Sequence, residues 1–201
     1  MKRLAVSLCF LFLVTCLGLA QKRVDLTEVG QDNFDADFPS GGQLRLHIRS
    51  GDLRIIGSDE NKIKIRFWGK HEAEAHDVKI SLKTLGNIGD LRIHGGPHNA
   101  FQIEIFVPRT SNLYLRMPAG DAEVKGIVGN KDVELHAGDL TLAVGAPEEY
   151  ALADASVLAG DLDASPFGVS KDGLFRSFRK QGSGKYKLHA HVGAGDLTLK
   201  P

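Results

Sequence analysis

Six Gly-Asp pairs punctuate the 201-residue chain, at Gly51-Asp52, Gly89-Asp90, Gly120-Asp121, Gly138-Asp139, Gly160-Asp161 and Gly195-Asp196. Most open an alternating apolar stretch, as in Leu53-Arg54-Ile55 and Leu140-Thr141-Leu142. A glycine turn followed by a short strand, repeated in one direction, is the pattern of a coil of stacked strands. The feature constrains fold strongly and chemistry hardly at all.

Between these pairs the chain alternates with period two. Leu44, Leu46 and Ile48 share one face of their stretch, as do Ile63, Ile65 and Phe67. The same holds for Val78/Ile80/Leu82, Phe101/Ile103/Ile105/Val107, Leu113/Leu115/Met117, Val133/Leu135 and Tyr186/Leu188/Ala190/Val192. Charged and polar residues hold the intervening positions. Each stretch reads as a strand buried on one side and wet on the other. No 3.6-residue period follows the first twenty or so residues, so the expected fold is all-β.

Gly120, Gly129 and Gly138 are spaced evenly, each step long enough for one short strand and a turn. Two such halves make a coil, and longer steps elsewhere leave room for insertions at 71–77 and 167–184. The expected architecture is a parallel β-helix or β-solenoid, two short strands per coil, over residues 44–201, after a lead-in at 21–43. Stacking would bury the inward row continuously. The alternative is an antiparallel β-sandwich, which also shows short strands at regular spacing.

The first residues set the compartment. Met1-Lys2-Arg3 precedes an apolar run from Leu4 to Ala20, with small Gly18 and Ala20 before Gln21. This reads as a secretory signal peptide over 1–20. Its rivals are an uncleaved anchor and a lipoprotein acylated at Cys16, which Thr15 and the apolar continuation beyond Cys16 fit poorly. Cys9 and Cys16 both lie in this run, so the chain from Gln21 on has no thiol for a disulfide or a Cys-ligated zinc. Without Lys2 and Arg3, 23 basic residues face 25 acidic ones. Such a balance argues against a general nucleic-acid binder.

The stretch Ile105-Phe106-Val107-Pro108, Leu113-Tyr114-Leu115, Ala119-Gly120-Asp121-Ala122-Glu123-Val124 and Gly138-Asp139-Leu140-Thr141-Leu142 resembles the bacterial "putative adhesin" family of domains of unknown function. The ending Gly182-Ser183-Gly184-Lys185-Tyr186-Lys187-Leu188 with Gly195-Asp196-Leu197-Thr198-Leu199 resembles it too. The resemblance implies a solenoid that is exported, in the periplasm or at the cell surface. It implies no activity.

Candidate chemistry is sparse. Equivalent corner aspartates Asp121, Asp139 and Asp161 would stack at about 4.8 Å, where like charges repel. The structural reading is that each carboxylate accepts N–H bonds in its own turn. The functional readings are a calcium ladder, which needs six to eight oxygens, or paired acids on a polysaccharide. The outward aromatics available to line a groove are Trp68, Phe106 and Tyr114.

His189 and His191 share a strand face, and His94 and His98 flank a Gly-Gly-Pro turn, yet neither pair has a visible third zinc ligand. Arg176, Arg179, Lys180, Lys185 and Lys187 form a basic run interleaved with Phe175, Phe178 and Tyr186. They read either as contacts to an anionic envelope polymer or headgroup, or as solvated charges around two phenylalanines that close the stack. No nucleophile elbow, zinc helix or phosphate loop is present in the sequence. The expectation is a non-enzymatic exported module with no catalytic residues and no cofactor, binding an envelope protein or polysaccharide. The alternative is a carbohydrate-active hydrolase or lyase on the same scaffold.

Overall fold

The computed structural model describes residues 23–29, 33–68, 78–95 and 102–201, without the side chains of 23–29 and 68. The expected signal segment 1–20, the expected insertion at 71–77 and His98 lie outside the described residues.

The chain is all-β. It begins with β1 (Arg23–Val29) and β2 (Asn33–Asp37), then passes from β3 (Gln43–Ile48) through Gly51 into β4 (Asp52–Ser58). After β5 (Lys62–Trp68) and β6 (Lys79–Leu85) come β7 (Ile88–His94) and β8 (Gln102–Pro108). Further on, β9 (Asn112–Ala119) turns into β10 (Ala122–Lys125), and β11 (Lys131–Ala137) into β12 (Leu140–Ala143). Then β13 (Tyr150–Ala159) turns into β14 (Leu162–Ala164), followed by β15 (Val169–Lys171) and β16 (Leu174–Gln181). Finally β17 (Tyr186–Ala194) turns into β18 (Leu197–Lys200).

These strands form two nine-stranded mixed sheets. Sheet A runs β1-β6-β7-β3-β9-β11-β17-β13-β16, and sheet B runs β15-β14-β18-β12-β10-β4-β8-β5-β2. At each turn the chain leaves sheet A and enters sheet B. The inner strands of sheet A, from β7 to β13, pair in parallel. So do those of sheet B from β14 to β8.

The flanks differ from the expectation of a uniform coil. At one end β6 and β1, with β5 and β2, pair antiparallel; at the other end β16 and β15 do. The inner strands are also out of chain order, since β7 lies outside β3 and β17 lies between β11 and β13. Two mixed sheets sharing one core make a sandwich-like layout. Its centre is parallel, unlike the antiparallel sandwich weighed above. The final strand β18 is internal, held by β12 on one side and β14 on the other.

Alternation explains the core. One inward row crosses sheet A as Leu82, Leu91, Leu46, Leu115, Val133, Ala190, Ala155 and Phe178. All are buried, and they join one cluster with inward residues of sheet B such as Ile55, Val124 and Leu142. Each fully buried Leu or Ile contributes about 1.5–3 kcal/mol. Phe34 and Phe38 fill the core beside the first antiparallel strands. Phe167 packs at 5.5 Å from Phe178 and 5.9 Å from Tyr150 near the other end. Phe178 therefore acts as the expected closing residue, but Phe175 does not: it is 78% exposed. The expected insertion at 167–184 is largely strand, β15 and β16.

Five of the Gly-Asp pairs make the sheet-to-sheet corners. The sixth, Gly89-Asp90, lies inside β7, where a side chain at Gly89 would strike the Phe38 ring. The corner glycines Gly120, Gly138, Gly195 and Gly160 have φ of +110°, +122°, +129° and +136°. A Cβ at any of them would also run into a carbonyl of the neighbouring corner. Both conditions demand glycine.

The aspartates correct the own-turn expectation. Asp139 N–H donates to Asp121 Oδ1, Asp196 N–H to Asp139 Oδ1, and Asp161 N–H to Asp196 Oδ1, each at 2.9 Å. Every carboxylate in this ladder accepts from the next corner instead of its own. At the opposite ends of the sheet A strands, Asn130 donates to Asn112 Oδ1, and Lys187 N–H donates to Asn130 Oδ1 at 2.8 Å.

Candidate functional site

The outer face of sheet A carries a dense polar array. Parallel register places Tyr114, Asp132, His189 and Asp154 side by side on β9, β11, β17 and β13, with Arg179 of β16 at the end. The next row holds Arg116, Glu134, His191 and Ser156. Arg116 bridges its neighbours, with Nη2 2.8 Å from Asp132 and 3.0 Å from Glu134. Its other terminal nitrogen donates to the carbonyls of Leu115 and Asp132, and the guanidinium lies 3.7 Å from the centre of the Tyr114 ring. His189 stands 3.8 Å from Glu134, and His191 shares a 2.8 Å hydrogen bond with Ser156.

A trough of about 440 Å³ opens along the first row, bounded by Tyr114, Asp132, Asp154, His189, Leu152 and Lys187. The register of β13 slips between Tyr150 and Leu152, so that Tyr150 is buried while Leu152 lies half-exposed at the trough. Such a bulge re-aims side chains. Beneath the trough, Lys131 points inward and is 2% exposed. Its ammonium donates to Tyr150 Oη at 2.7 Å, and that hydroxyl donates to the Val144 carbonyl at 2.8 Å. Burial pushes the Lys131 ammonium down to about 8, with Glu149 pulling the other way. Burial also raises the Tyr150 phenol above its ordinary range, and Glu149 and Tyr186 add to this.

The basic set Arg176, Arg179, Lys180, Lys185 and Lys187 is spread over different surroundings. Arg179 faces Asp154 at 3.9 Å on the outer side of β16. Arg176 lies beside Gly173, and Lys180 sits 6.0 Å from the Phe167 ring. Lys185 sits 5.5 Å from the Tyr186 ring, while Lys187 borders the trough. Of the histidines weighed as ligands, His189 meets two carboxylates of β11. Asp132, Glu134 and His189 bring one ligand atom each to within 4.8 Å of one another. Arg116 already lies between the two acids. The sequence reading missed Asp132 and Glu134. Their signal is present, two acids one residue apart on one strand face, but it gains meaning only once β11 and β17 are neighbours.

Two solved structures resemble this fold. One is a "putative cell adhesion protein" from Clostridium sporogenes ATCC 15579, at 15% identity and TM-score 0.48, covering 89% of this chain and 99% of that one. The other is a "putative adhesin" from Bacteroides fragilis NCTC 9343, at 8% identity and TM-score 0.31, covering 88% and 97%. No family model matches the chain, and no curated protein matches it. Among the described residues no helix is long and apolar enough to cross a membrane.

Proposed function

We propose that the protein is a non-enzymatic, adhesin-like binding module of the cell envelope, using the trough on sheet A to hold an envelope polysaccharide. The carrying observation is the layout of the acids. Asp132 and Glu134 lie side by side on one strand with Arg116 between them. A glycosidase needs its two carboxyl groups on either side of the scissile bond. Acids on a flat face suit hydroxyl recognition, and Tyr114 with Leu152 supplies apolar surface for a sugar ring. Export rests on the Met1–Ala20 segment. The parallel inner strands support reading the core as a coiled stack with antiparallel caps.

Purified protein incubated with envelope polysaccharide fractions tests this. Retention of a fraction, lost in Tyr114→Ala and in Leu152→Asp, is expected. Absence of retention would end the proposal. The proximity of Asp132, Glu134 and His189 is the specific observation favouring a hydrolase or lyase. Release of new sugar ends, abolished by Glu134→Gln, would establish that reading in its place.

A further inference from the structure

A second feature of sheet A lies at the ends of β7, β3 and β9, beyond the trough. His47-Ile48-Arg49, Arg92-Ile93-His94 and Arg116-Met117-Pro118 lie at or near the ends of these strands, each with its middle apolar residue buried and its flanking residues outward. Register sets His47 beside Arg92 on one side and Arg116 on the other. Arg49, just past the end of β3, borders the same depression as His94 and Pro118. Five of these six outward positions are arginine or histidine, on strands about 4.8 Å apart. They border a depression of about 340 Å³ that has Ile48 and Ile93 among its walls and no acidic side chain among the described residues lining it.

Like charges packed across strands are destabilising unless offset. The offsets here are partial. Arg116 spends its donors on Asp132, Glu134 and two carbonyls. Arg92 Nε donates to Asp90 at 2.8 Å, leaving its terminal nitrogens without an acidic partner among the described residues. His47 lies 3.8 Å from the same aspartate. Arg49 and His94, both exposed, pair with no carboxylate among the described residues. Guanidinium forks and imidazole N–H groups around one depression match a tetrahedral oxyanion, which accepts several such donors at once.

We propose that this rim, built from Arg49, Arg92, His47 and His94, binds a phosphate group, whether free, carried on a polymer or presented by a lipid. The site is separate from the trough, so its failure would leave the polysaccharide reading standing, and the reverse.

The test is calorimetric titration of the purified protein with sodium phosphate in a chloride buffer. Saturable binding is expected, weakened about tenfold by Arg49→Gln or Arg92→Gln, in line with losing one charge-assisted hydrogen bond. Lys200→Gln, on sheet B, leaves it unchanged. Vesicles of phosphatidylcholine with and without phosphatidic acid then separate the sources. Retention on the acidic vesicles alone, lost in Arg49→Gln, assigns a lipid headgroup. Phosphate binding without retention assigns soluble or polymer-borne phosphate. Absence of saturable phosphate binding, or undiminished binding by an Arg49→Gln protein with native circular dichroism, overturns the proposal.

Discussion

Asp139 donates its backbone N–H to the Oδ1 of Asp121, one corner away, at 2.9 Å. Asp196 does the same to Asp139, so Asp139 is both donor and acceptor. Its carboxylate therefore joins turns that lie far apart in sequence. Asp139→Asn keeps an acceptor oxygen and is expected to change stability by less than about 0.5 kcal/mol, as ordinary surface substitutions do. Asp139→Ala leaves the Asp196 N–H without it and is expected to cost about 1 kcal/mol. Urea unfolding of the two variants checks this; equal stabilities would show that the ladder contributes nothing.

Gly138 and Gly145 both have positive φ, +122° and +69°. A Cβ at Gly138 would collide with the Gly120 carbonyl, whereas one at Gly145 meets nothing within 4 Å. Gly138→Ala is expected to cost about 3 kcal/mol or more, combining backbone strain with displacement of the adjoining corner. Gly145→Ala carries the strain alone, about 1 kcal/mol. The difference in urea midpoint between the two tests how tightly the corners stack.

Much of this was legible in the sequence, and the exceptions have physical causes. The inward rows headed by Leu44, Leu113 and Val133 follow from alternation alone, since a strand in contact with water on one side has no other way to bury its apolar residues. The order of the strands does not follow. Every inner strand offers a similar aliphatic row, so nothing local tells β17 to enter between β11 and β13. That choice brings His189 beside Asp132, which is why the trough was unreadable. Gly89-Asp90 misled because its glycine answers to the Phe38 ring and not to a turn.

Lys131 gives stability an unusual pH profile. Its folded value of about 8 lies below the ordinary lysine value of about 10.5, so the unfolded chain binds more protons between those limits. Stability therefore rises as pH increases from 8, with a ceiling of about 3 kcal/mol from this residue. The raised Tyr150 phenol acts oppositely: above pH 10 the unfolded chain loses that proton first, and stability falls again. Lys131→Met should abolish the rise and stabilise the protein at pH 7 by about 1–3 kcal/mol, because it removes a buried charge lacking an acidic hydrogen-bond partner. Thermal melts at pH 7, 9 and 10 check both statements. A wild-type stability that declines steadily from pH 7 would contradict them.

Phe175 has φ of +56° and is 78% exposed. A bulky residue in this region is strained, and its ring contributes nothing to the core. Phe175→Asn, which tolerates the left-handed conformation, is expected to raise stability by about 0.5–1 kcal/mol. A loss of stability in urea would show that the ring is held by contacts in solution.

Hydrogen exchange at the Asp139, Asp196 and Asp161 amides reads out whether corners distant in sequence stack in register. These three corner aspartates are exposed, yet each amide is bonded to the neighbouring carboxylate. Stacked corners are expected to exchange at least about a hundredfold slower than an unstructured chain, close to the rate of the adjoining strands. Exchange at the rate of a free loop at all three would contradict the stacking.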